Sequence, residues 1–421
     1  MFFQNIGRTH TKIKNLKIKE DKFMVSEKMK ALGVKKSVIR EIFEYAKVRK
    51  AEIGAENVFD YSIGNPSVPA PETVKETLVS LLTETDPAKL HGYTSAQGDL
   101  DVRKAIADYL NETYGAKASP DLIYITVGAA AALTVSLNAV LADNANEEVI
   151  VFAPFFPEYR VFVEKAGGKL VTVPCREADF QIDFEAFEKA ITPKTKAVIV
   201  NSPNNPTGVV LSENTVKKLA EIMRKAEQTY GHPIFLIADE PYRELVYNGV
   251  EVPYLTCYYE NTIVCYSFSK SLSLPGERIG YILVSSDSPE AKNVYAAVLG
   301  AGRALGFVCA PSLFQYMIPS CLGKTSDISV YDTNRKLLYD SLTAYGYTCA
   351  NPDGAFYLFV KALEADAYAF CARAKKYELL LVPSDDFGFP GYVRIAYCVS
   401  TEQIQRSLSA FEALANDYKA N

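Results

Sequence analysis

The sequence predicts an α/β protein, in which a large domain with a mostly parallel sheet covered by helices is joined to a smaller α+β domain. The first observation is a series of nearly continuous apolar segments between residues 122 and 285, separated by helical segments. Strands that are apolar at every position are typical of a parallel sheet buried on both faces. The second observation is a change after about residue 310, where a long amphipathic stretch and several short strands follow.

Each element is predicted from its own pattern. Helical periodicity predicts helices at 27–53, with a turn at Gly33, and at 72–84, 98–114, 129–142 and 213–229. Apolar and β-branched runs predict the large-domain strands at 122–128, 147–154, 169–174, 196–203, 234–239, 262–269 and 279–285. The smaller domain is predicted to contain the amphipathic stretch 312–345, strands at 354–360, 378–384 and 392–397, and a helix from 401.

Composition and charge exclude several classes of function. The chain has 421 residues and a net charge of −5, so a nucleic-acid partner is not expected. Eight cysteines without a CxxC pair indicate reduced thiols, and the expected location is the cytoplasm. Three widely separated histidines give no metal site, and no membrane span is expected. The basic first 22 residues are interpreted as a solvated extension, because they lack the apolar core of a secretory signal.

Notable residues occur where predicted strands end. Ligands bind beyond the carboxyl ends of the strands in parallel α/β sheets. Gly128 opens an alanine-rich helix whose first free amides suit a phosphate, although such turns also occur without a ligand. Asp239 ends a strongly apolar strand, where a carboxylate either pairs with a cation or caps the next helix. Tyr242 is expected to face the same cavity.

Two further strand ends carry an amide and an amine. In "NSPNNPTG", two prolines and Gly208 fix a turn, so that Asn205 is held at one angle with its amide free. In "SFSKSLSLPGERIGY", Lys270 directly follows a buried strand, and Ser267 and Arg278 suit a phosphate around it. A reactive lysine, a buried carboxylate and a phosphate site together favour pyridoxal phosphate.

These segments, in this order, resemble the fold type I pyridoxal-phosphate enzymes, and in particular the class I/II aminotransferases of the aspartate-aminotransferase type. The resemblance extends from about Val58 to Ser400. It implies the PLP-dependent transferase fold, pyridoxal 5′-phosphate as cofactor and a homodimer with shared active sites. It also implies four parts: a basic extension (1–22), an N-terminal arm with part of the small domain (23–65), a large cofactor-binding domain (66–310) and a small C-terminal domain (311–421).

The resemblance also implies roles for individual residues. The catalytic group is Lys270, which bonds the cofactor and moves a proton, with Asp239 at the pyridine nitrogen and Tyr242 and Asn205 as donors to the ring oxygen. The phosphate contacts are Ser267, Arg278, Gly128, Ala129, Ala130 and, from the neighbouring subunit, Tyr93, while Phe156 stacks on the ring. The substrate contacts are Arg394 and Asn205 at the α-carboxylate, Gly64 in a closing loop and Arg303 of the neighbouring subunit at a side-chain carboxylate. An interface or surface position is the alternative for Arg303, and the flanking glycines predict a break in the preceding helix.

The implied function is transfer of an amino group from an L-amino acid (aspartate, glutamate or an aromatic one) to a 2-oxo acid such as 2-oxoglutarate, by a ping-pong mechanism. A PLP-dependent carbon–sulfur β-lyase remains open, because the same residues support β-elimination. A regulatory protein built on an aminotransferase-like domain is a minor alternative. It would need an added DNA-binding domain, and only about 60 residues precede the resemblance.

Overall fold

The structure is a computed structural model, which describes residues 25–34, 37–142 and 146–420. The predicted extension 1–22 lies outside the described residues. The α-helices among them are α1 Glu27–Val34, α2 Val38–Ile53, α3 Glu72–Glu84, α4 Pro87–Leu90, α5 Leu100–Tyr114, α6 Ala129–Val140, α7 Glu158–Lys165, α8 Phe184–Ala190, α9 Glu213–Tyr230, α10 Phe268–Ser271, α11 Ala291–Ala304, α12 Ser312–Cys321, α13 Ser329–Tyr345, α14 Ala367–Ala374 and α15 Thr401–Lys419.

The strands fall into three sheets. They are β1 Phe59–Asp60, β2 Ile123–Thr126, β3 Glu148–Ala153, β4 Lys169–Pro174, β5 Thr195–Asn201, β6 Phe235–Asp239, β7 Thr262–Ser267, β8 Gly280–Val284, β9 Tyr357–Lys361, β10 Leu379–Leu380, β11 Val382–Pro383 and β12 Tyr392–Ala396. The seven-stranded sheet has the order β2-β8-β7-β6-β5-β3-β4. Only β8 runs against its two neighbours, so the predicted mostly parallel sheet is confirmed.

Burial on both faces explains the continuous apolar strands. Along β5, Ala197 and Ile199 belong to one hydrophobic cluster, whereas Val198 and Val200 belong to another. Successive side chains of a strand point to opposite faces, so helices must cover both sides of this sheet. The polar residues that end each strand then lie together at one edge.

Local capping sets the ends of the covering helices. Asp99 caps α5 by accepting hydrogen bonds from the amides of residues 101 and 102, and Ser212 caps α9. Each satisfies amides that have no partner within the helix. Helix α5 ends at a glycine in the left-handed region, as does α9.

The C-terminal part has its own core. The antiparallel sheet β11-β12-β9 packs with α13 and α15 around a separate apolar cluster. Strand β1 pairs in parallel with β10, so the segment before α3 joins this part of the fold. The four-part division of the chain stays a prediction. No helix in the described ranges is both long and apolar enough to cross a membrane.

Two details of the predicted elements are wrong. The turn predicted at Gly33 is placed a few residues too early, because Gly33 is still the second-last residue of α1, which ends at Val34, and α2 begins at Val38. The predicted strand 378–384 is split into β10 and β11, which pair with different partners. An apolar run does not reveal such a change of partner.

Candidate active site

A cleft of about 320 Å³ lies beyond the carboxyl ends of β5, β6 and β7. It brings together eleven residues singled out from the sequence: Gly64, Ala129, Ala130, Phe156, Asn205, Asp239, Tyr242, Ser267, Lys270, Arg278 and Arg394. Its other lining residues are Ile39, Ile63, Leu133, Asn201, Pro241, Ser269, Pro275 and Tyr357. Its size and position are those expected of a small-molecule site in an α/β protein.

The Lys270 side chain projects into this cleft from the single turn α10. Its Nζ donates a hydrogen bond to the carbonyl oxygen of Gly64 at 2.8 Å. Burial lowers the pKa of Lys270 to about 8, and the nearby charges of Arg278 and Arg394 act in the same direction. A neutral, nucleophilic amine is therefore accessible near neutral pH.

The Asp239 carboxyl is buried at the end of β6. Its Oδ2 accepts a hydrogen bond from the Tyr159 hydroxyl at 2.5 Å, and its Oδ1 has no hydrogen-bond partner among the described residues. Burial raises the pKa of Asp239 to about 7, and the Tyr159 hydrogen bond opposes that shift. Asp239 lines the cleft, and a cationic N–H bound there would satisfy Oδ1 and favour the charged form of the carboxyl.

The turn after β5 is supported by its own amides. Asn201 Oδ1 accepts from the Asn205 backbone amide at 2.7 Å, and Asn204 Oδ1 accepts from the amide of Thr207 at 3.1 Å. Gly208 has φ +72°, and a Cβ there would lie 2.5 Å from the Cβ of Pro352. Asn201 and Asn204 thus support this turn, and Asn205 lines the cleft.

The buried Arg394 guanidinium lies opposite, on β12. Its Nη1 donates to Asn205 Oδ1 at 3.1 Å and its Nη2 to the Ser62 carbonyl at 2.5 Å. The ring of Tyr357 lies 4.7 Å from it and that of Phe387 5.3 Å from it. Its Nε is buried without a hydrogen-bond partner in the part of the chain that the structure describes. A buried cation with a free donor suits a carboxylate ligand.

The residues predicted to bind a phosphate lie close together at the cleft. Arg278 Nη1 donates to Ser269 Oγ at 3.3 Å, and the hydroxyls of Ser267 and Ser269 are 2.7 Å apart. Gly128 has φ +87°, and a Cβ there would lie 2.8 Å from Arg278 Nη2. Helix α6 starts directly after Gly128, so its first amides face the same point.

Tyr242 lines the cleft together with Asp239 and Arg394. Its hydroxyl is 2.9 Å from that of Tyr357, and burial raises its pKa well above the usual range. Tyr242 therefore stays a neutral hydrogen-bonding group at physiological pH.

A family model described as aminotransferase class I and II matches residues 56–411. The chain belongs to this family of aminotransferases. Its 56% identity to a crystallised amino transferase from Eubacterium rectale spans 94% of this chain and 99% of that one, with a TM-score of 0.92. It is also 30% identical to aromatic-amino-acid aminotransferase 2 of Thermococcus litoralis, over 92% of this chain and 97% of that protein. The aspartate aminotransferase of Thermotoga maritima is 30% identical, over 93% of this chain and all of its own length.

Class I and II aminotransferases depend on pyridoxal phosphate, and the residues of this aminotransferase fit that cofactor. The cleft contains the Lys270 amine, whose pKa is lowered, and the Asp239 carboxyl, which has one oxygen without a hydrogen-bond partner among the described residues. It also contains the cationic guanidinium of Arg278, which suits a phosphate. A separate cation, Arg394, remains for a substrate carboxylate. The aminotransferase thus provides one partner for each charged group of the cofactor and its substrate.

Three predicted residues are not among those that line the cleft of their own chain: Gly128, which lies against Arg278, and Tyr93 and Arg303. Tyr93 is 97% exposed, and Arg303 is exposed in the last turn of α11. The predicted helix break beside Arg303 is wrong, because Gly300 and Gly302 both lie inside α11. Gly302 packs against the Tyr124 hydroxyl, a contact for which its missing Cβ leaves room. The role of Arg303 at a substrate stays a prediction.

Sequence reasoning missed three residues that contact the predicted groups. Tyr159 holds Asp239, Ser269 holds Arg278, and Tyr357 contacts both Tyr242 and Arg394. Ser269 has a signal, since it stands two residues after Ser267 in the same motif. Tyr357 lies in the predicted strand 354–360 and Tyr159 lies between two predicted strands, and nothing in their local pattern marks them.

Proposed function

We propose that this aminotransferase moves the amino group of an L-amino acid to a 2-oxo acid such as 2-oxoglutarate, in two half-reactions with ping-pong kinetics. The observation that carries the proposal is that one cleft contains both Lys270, a half-buried lysine of lowered pKa, and Arg394, a buried arginine. An L-amino acid has a carboxylate that can bind Arg394 and a Cα–H bond that can face Lys270. Aspartate, glutamate or an aromatic amino acid is the proposed donor, supported by the names of the relatives.

Arg394 and Asn205 position the substrate in this proposal. The guanidinium binds the α-carboxylate through charge-assisted hydrogen bonds, using the Nε donor that has no partner among the described residues. Asn205 already accepts from Arg394 at 3.1 Å, so it fixes the orientation of the guanidinium. This fixed geometry directs the Cα–H bond of the substrate toward Lys270 and reduces the entropy lost at the reaction step.

Lys270 is the proposed base. Its Nζ receives the proton from the substrate Cα and holds it within the cleft until the transfer is completed. A pKa of about 8 suits both parts of this task, since the amine is neither permanently charged nor a weak base. The Gly64 carbonyl at 2.8 Å holds Nζ in place before the substrate arrives.

The remaining residues would hold the cofactor. When bound, pyridoxal phosphate supplies an electron sink that makes removal of the α-proton possible. Asp239 would pair with the ring nitrogen through Oδ1, and Asn205 and Tyr242 would donate to the ring oxygen. Phe156 would stack on the ring. The proposed phosphate contacts are Ser267, Arg278 and the start of α6 with Gly128, Ala129 and Ala130.

The proposed active unit is a homodimer with shared sites. Tyr93, an aromatic side chain that is 97% exposed, is proposed to reach the cofactor phosphate of the neighbouring subunit. Gly64 contributes to the loop that closes over the substrate. Mixing an inactive Lys270→Ala chain with a Tyr93→Phe chain should restore one intact site per heterodimer. A stable and fully active monomer would contradict the shared site.

We place the enzyme in the cytoplasm. Four of its cysteines, Cys265, Cys321, Cys371 and Cys398, are buried as free thiols and pack as small apolar side chains. This use of cysteine suits a reducing compartment. Localisation of a fluorescent fusion protein tests the assignment, and export from the cell would contradict it.

Borohydride reduction followed by peptide mass spectrometry tests the central assignment. The cofactor is expected on Lys270 and is expected to stay non-covalent in Lys270→Ala, which should lose turnover. Attachment to another lysine would overturn the proposal. A panel of amino donors with 2-oxoglutarate then defines the substrate. Release of pyruvate and ammonia from cystathionine without any 2-oxo acid would identify the β-lyase instead.

A further inference from the structure

Three charged side chains follow Asp239 within five residues and have no role in the proposed transfer. Glu240 and Arg243 are buried and form a bidentate ion pair, with Nε–Oε2 and Nη2–Oε1 distances of 2.7 and 2.5 Å. Arg243 also donates to two backbone carbonyls, and its guanidinium lies 4.6 Å from the centre of the Tyr254 ring. The charges of Glu240 and Arg243 therefore compensate each other, although Glu240 Oε1 accepts no hydrogen bond among the described residues. The role of Glu244 needs a separate explanation.

The Glu244 carboxyl is only half paired. Its Oε1 accepts a hydrogen bond from the Tyr266 hydroxyl at 2.9 Å. Its Oε2 is buried and has no hydrogen-bond partner among the residues that the structure describes. Burial raises the pKa of Glu244, which means that the surroundings disfavour its charge. A buried carboxyl with an unpaired oxygen destabilises a fold, so stability does not account for this residue.

Tyr266 connects Glu244 to the turn that carries Lys270. Its hydroxyl lies 3.0 Å from the Oγ of Ser271, the residue that directly follows Lys270 in α10. The Tyr266 hydroxyl donates its one hydrogen to Glu244 Oε1. The Tyr266 oxygen therefore accepts the hydrogen of the Ser271 hydroxyl. The three groups form one chain of hydrogen bonds with a fixed direction.

The middle of this chain and its Ser271 end are each held by further contacts. The Tyr266 ring stacks on Tyr281 of the neighbouring strand at 4.9 Å and meets the edge of Phe268 at 5.0 Å. The backbone carbonyl of Ser271 accepts from the Ser326 amide at 2.8 Å. Contacts with the sheet and with the loop before α13 therefore both restrain the backbone next to Lys270.

We propose that Glu244 is a positioning residue for Lys270, acting through Tyr266 and Ser271. The inference rests on the role of Lys270 proposed above. Asp239 is the last residue of β6 and Lys270 follows β7, and these neighbouring strands pair in parallel. The hydrogen-bond chain joins the segment that follows Asp239 to the turn that carries Lys270. It therefore fixes the position of the lysine relative to the carboxyl that would hold the cofactor ring.

Tyr266→Phe is the decisive change, because it removes both hydrogen bonds and keeps the stacked ring. The expected result is a fall in kcat of about tenfold with KM nearly unchanged, as displacement of a reacting group predicts. Cofactor-free protein should also bond pyridoxal phosphate about tenfold more slowly, measured by absorbance. The matched control is Tyr295→Phe, which deletes the buried hydroxyl that donates to the Ile123 carbonyl at 2.8 Å. This control should lower the melting temperature to a similar extent without either kinetic effect.

Changes at Glu244 test the order of the chain. Glu244→Gln keeps an acceptor for Tyr266 and should retain near-normal rates, whereas Glu244→Leu should reproduce the effect of Tyr266→Phe. The double variant should be no slower than either single one, because residues in one chain are not additive. Multiplied effects in the double variant, or rates in Tyr266→Phe equal to those of Tyr295→Phe, would overturn the inference. Covalent cofactor on a lysine other than Lys270 would instead overturn the proposed function.

Discussion

The stability of the cofactor-free protein should depend on pH through Asp239, and Asp239→Asn should remove that dependence. Burial raises the pKa of this carboxyl from 3.8 to about 7. At pH values between 3.8 and about 7, the Asp239 carboxyl is ionised in the unfolded chain but still protonated in the folded chain. The contribution of Asp239 to the free energy of unfolding therefore has its full value below about pH 4 and is lost as the pH rises through about 7. The full interval corresponds to about 4 kcal/mol, since each pKa unit is worth about 1.4 kcal/mol.

Urea unfolding of both proteins at several pH values measures this effect. Between pH 5 and 8 the wild-type protein should lose about 2.5 kcal/mol relative to Asp239→Asn, whose amide does not titrate. Tyr159→Phe is a second test, because the Tyr159 hydrogen bond lowers the pKa of Asp239. Its loss should move the dependence to higher pH. A constant difference between wild type and Asp239→Asn across this range would refute the assigned burial of the charge.

Three further outcomes are expected. Arg394→Ala should weaken binding of monocarboxylate substrate analogues by about ten- to a hundredfold in a calorimetric titration, since a charge-assisted pair is lost; unchanged affinity would place the carboxylate elsewhere. Gly128→Ala should weaken cofactor binding, because its Cβ would lie 2.8 Å from Arg278 Nη2 at φ +87°; equilibrium dialysis measures this, and unaltered binding would contradict the phosphate site. Arg303→Ala should lower kcat/KM about ten- to a hundredfold for aspartate and glutamate only. An equal fall for alanine, or none, would exclude Arg303 as the selector.

The candidate site was predictable wherever a functional residue ends a strand. Lys270, Asp239 and Asn205 each stand directly after an apolar segment, and parallel strands bring such positions to one edge. Arg394 was identified only through the family resemblance, because an arginine in a short strand has no distinctive pattern. Its burial, its contact with Asn205 and its free Nε come from the packing of β12 against the turn after β5.

Several supporting contacts could not be predicted from local patterns. Tyr159 and Asp239 are 80 residues apart, and Tyr242 and Tyr357 are 115 apart. Tyrosine is common in this chain, with 27 in all, so a single tyrosine in an apolar segment predicts core packing first. Which hydroxyl reaches which partner depends on how distant segments pack.

The sequence by itself determined the α/β architecture, the order of the strands along the chain and several of the polar residues that meet in the cleft. It did so because strand burial, turn geometry and charge at strand ends are local properties that leave a pattern. The tertiary structure alone decided the pairing of the split strands β10 and β11, the environment of Asp239 and the chain from Glu244 to Ser271. Those features arise from contacts between segments far apart in sequence, where burial sets the pKa and the neighbouring side chains set the direction of each hydrogen bond.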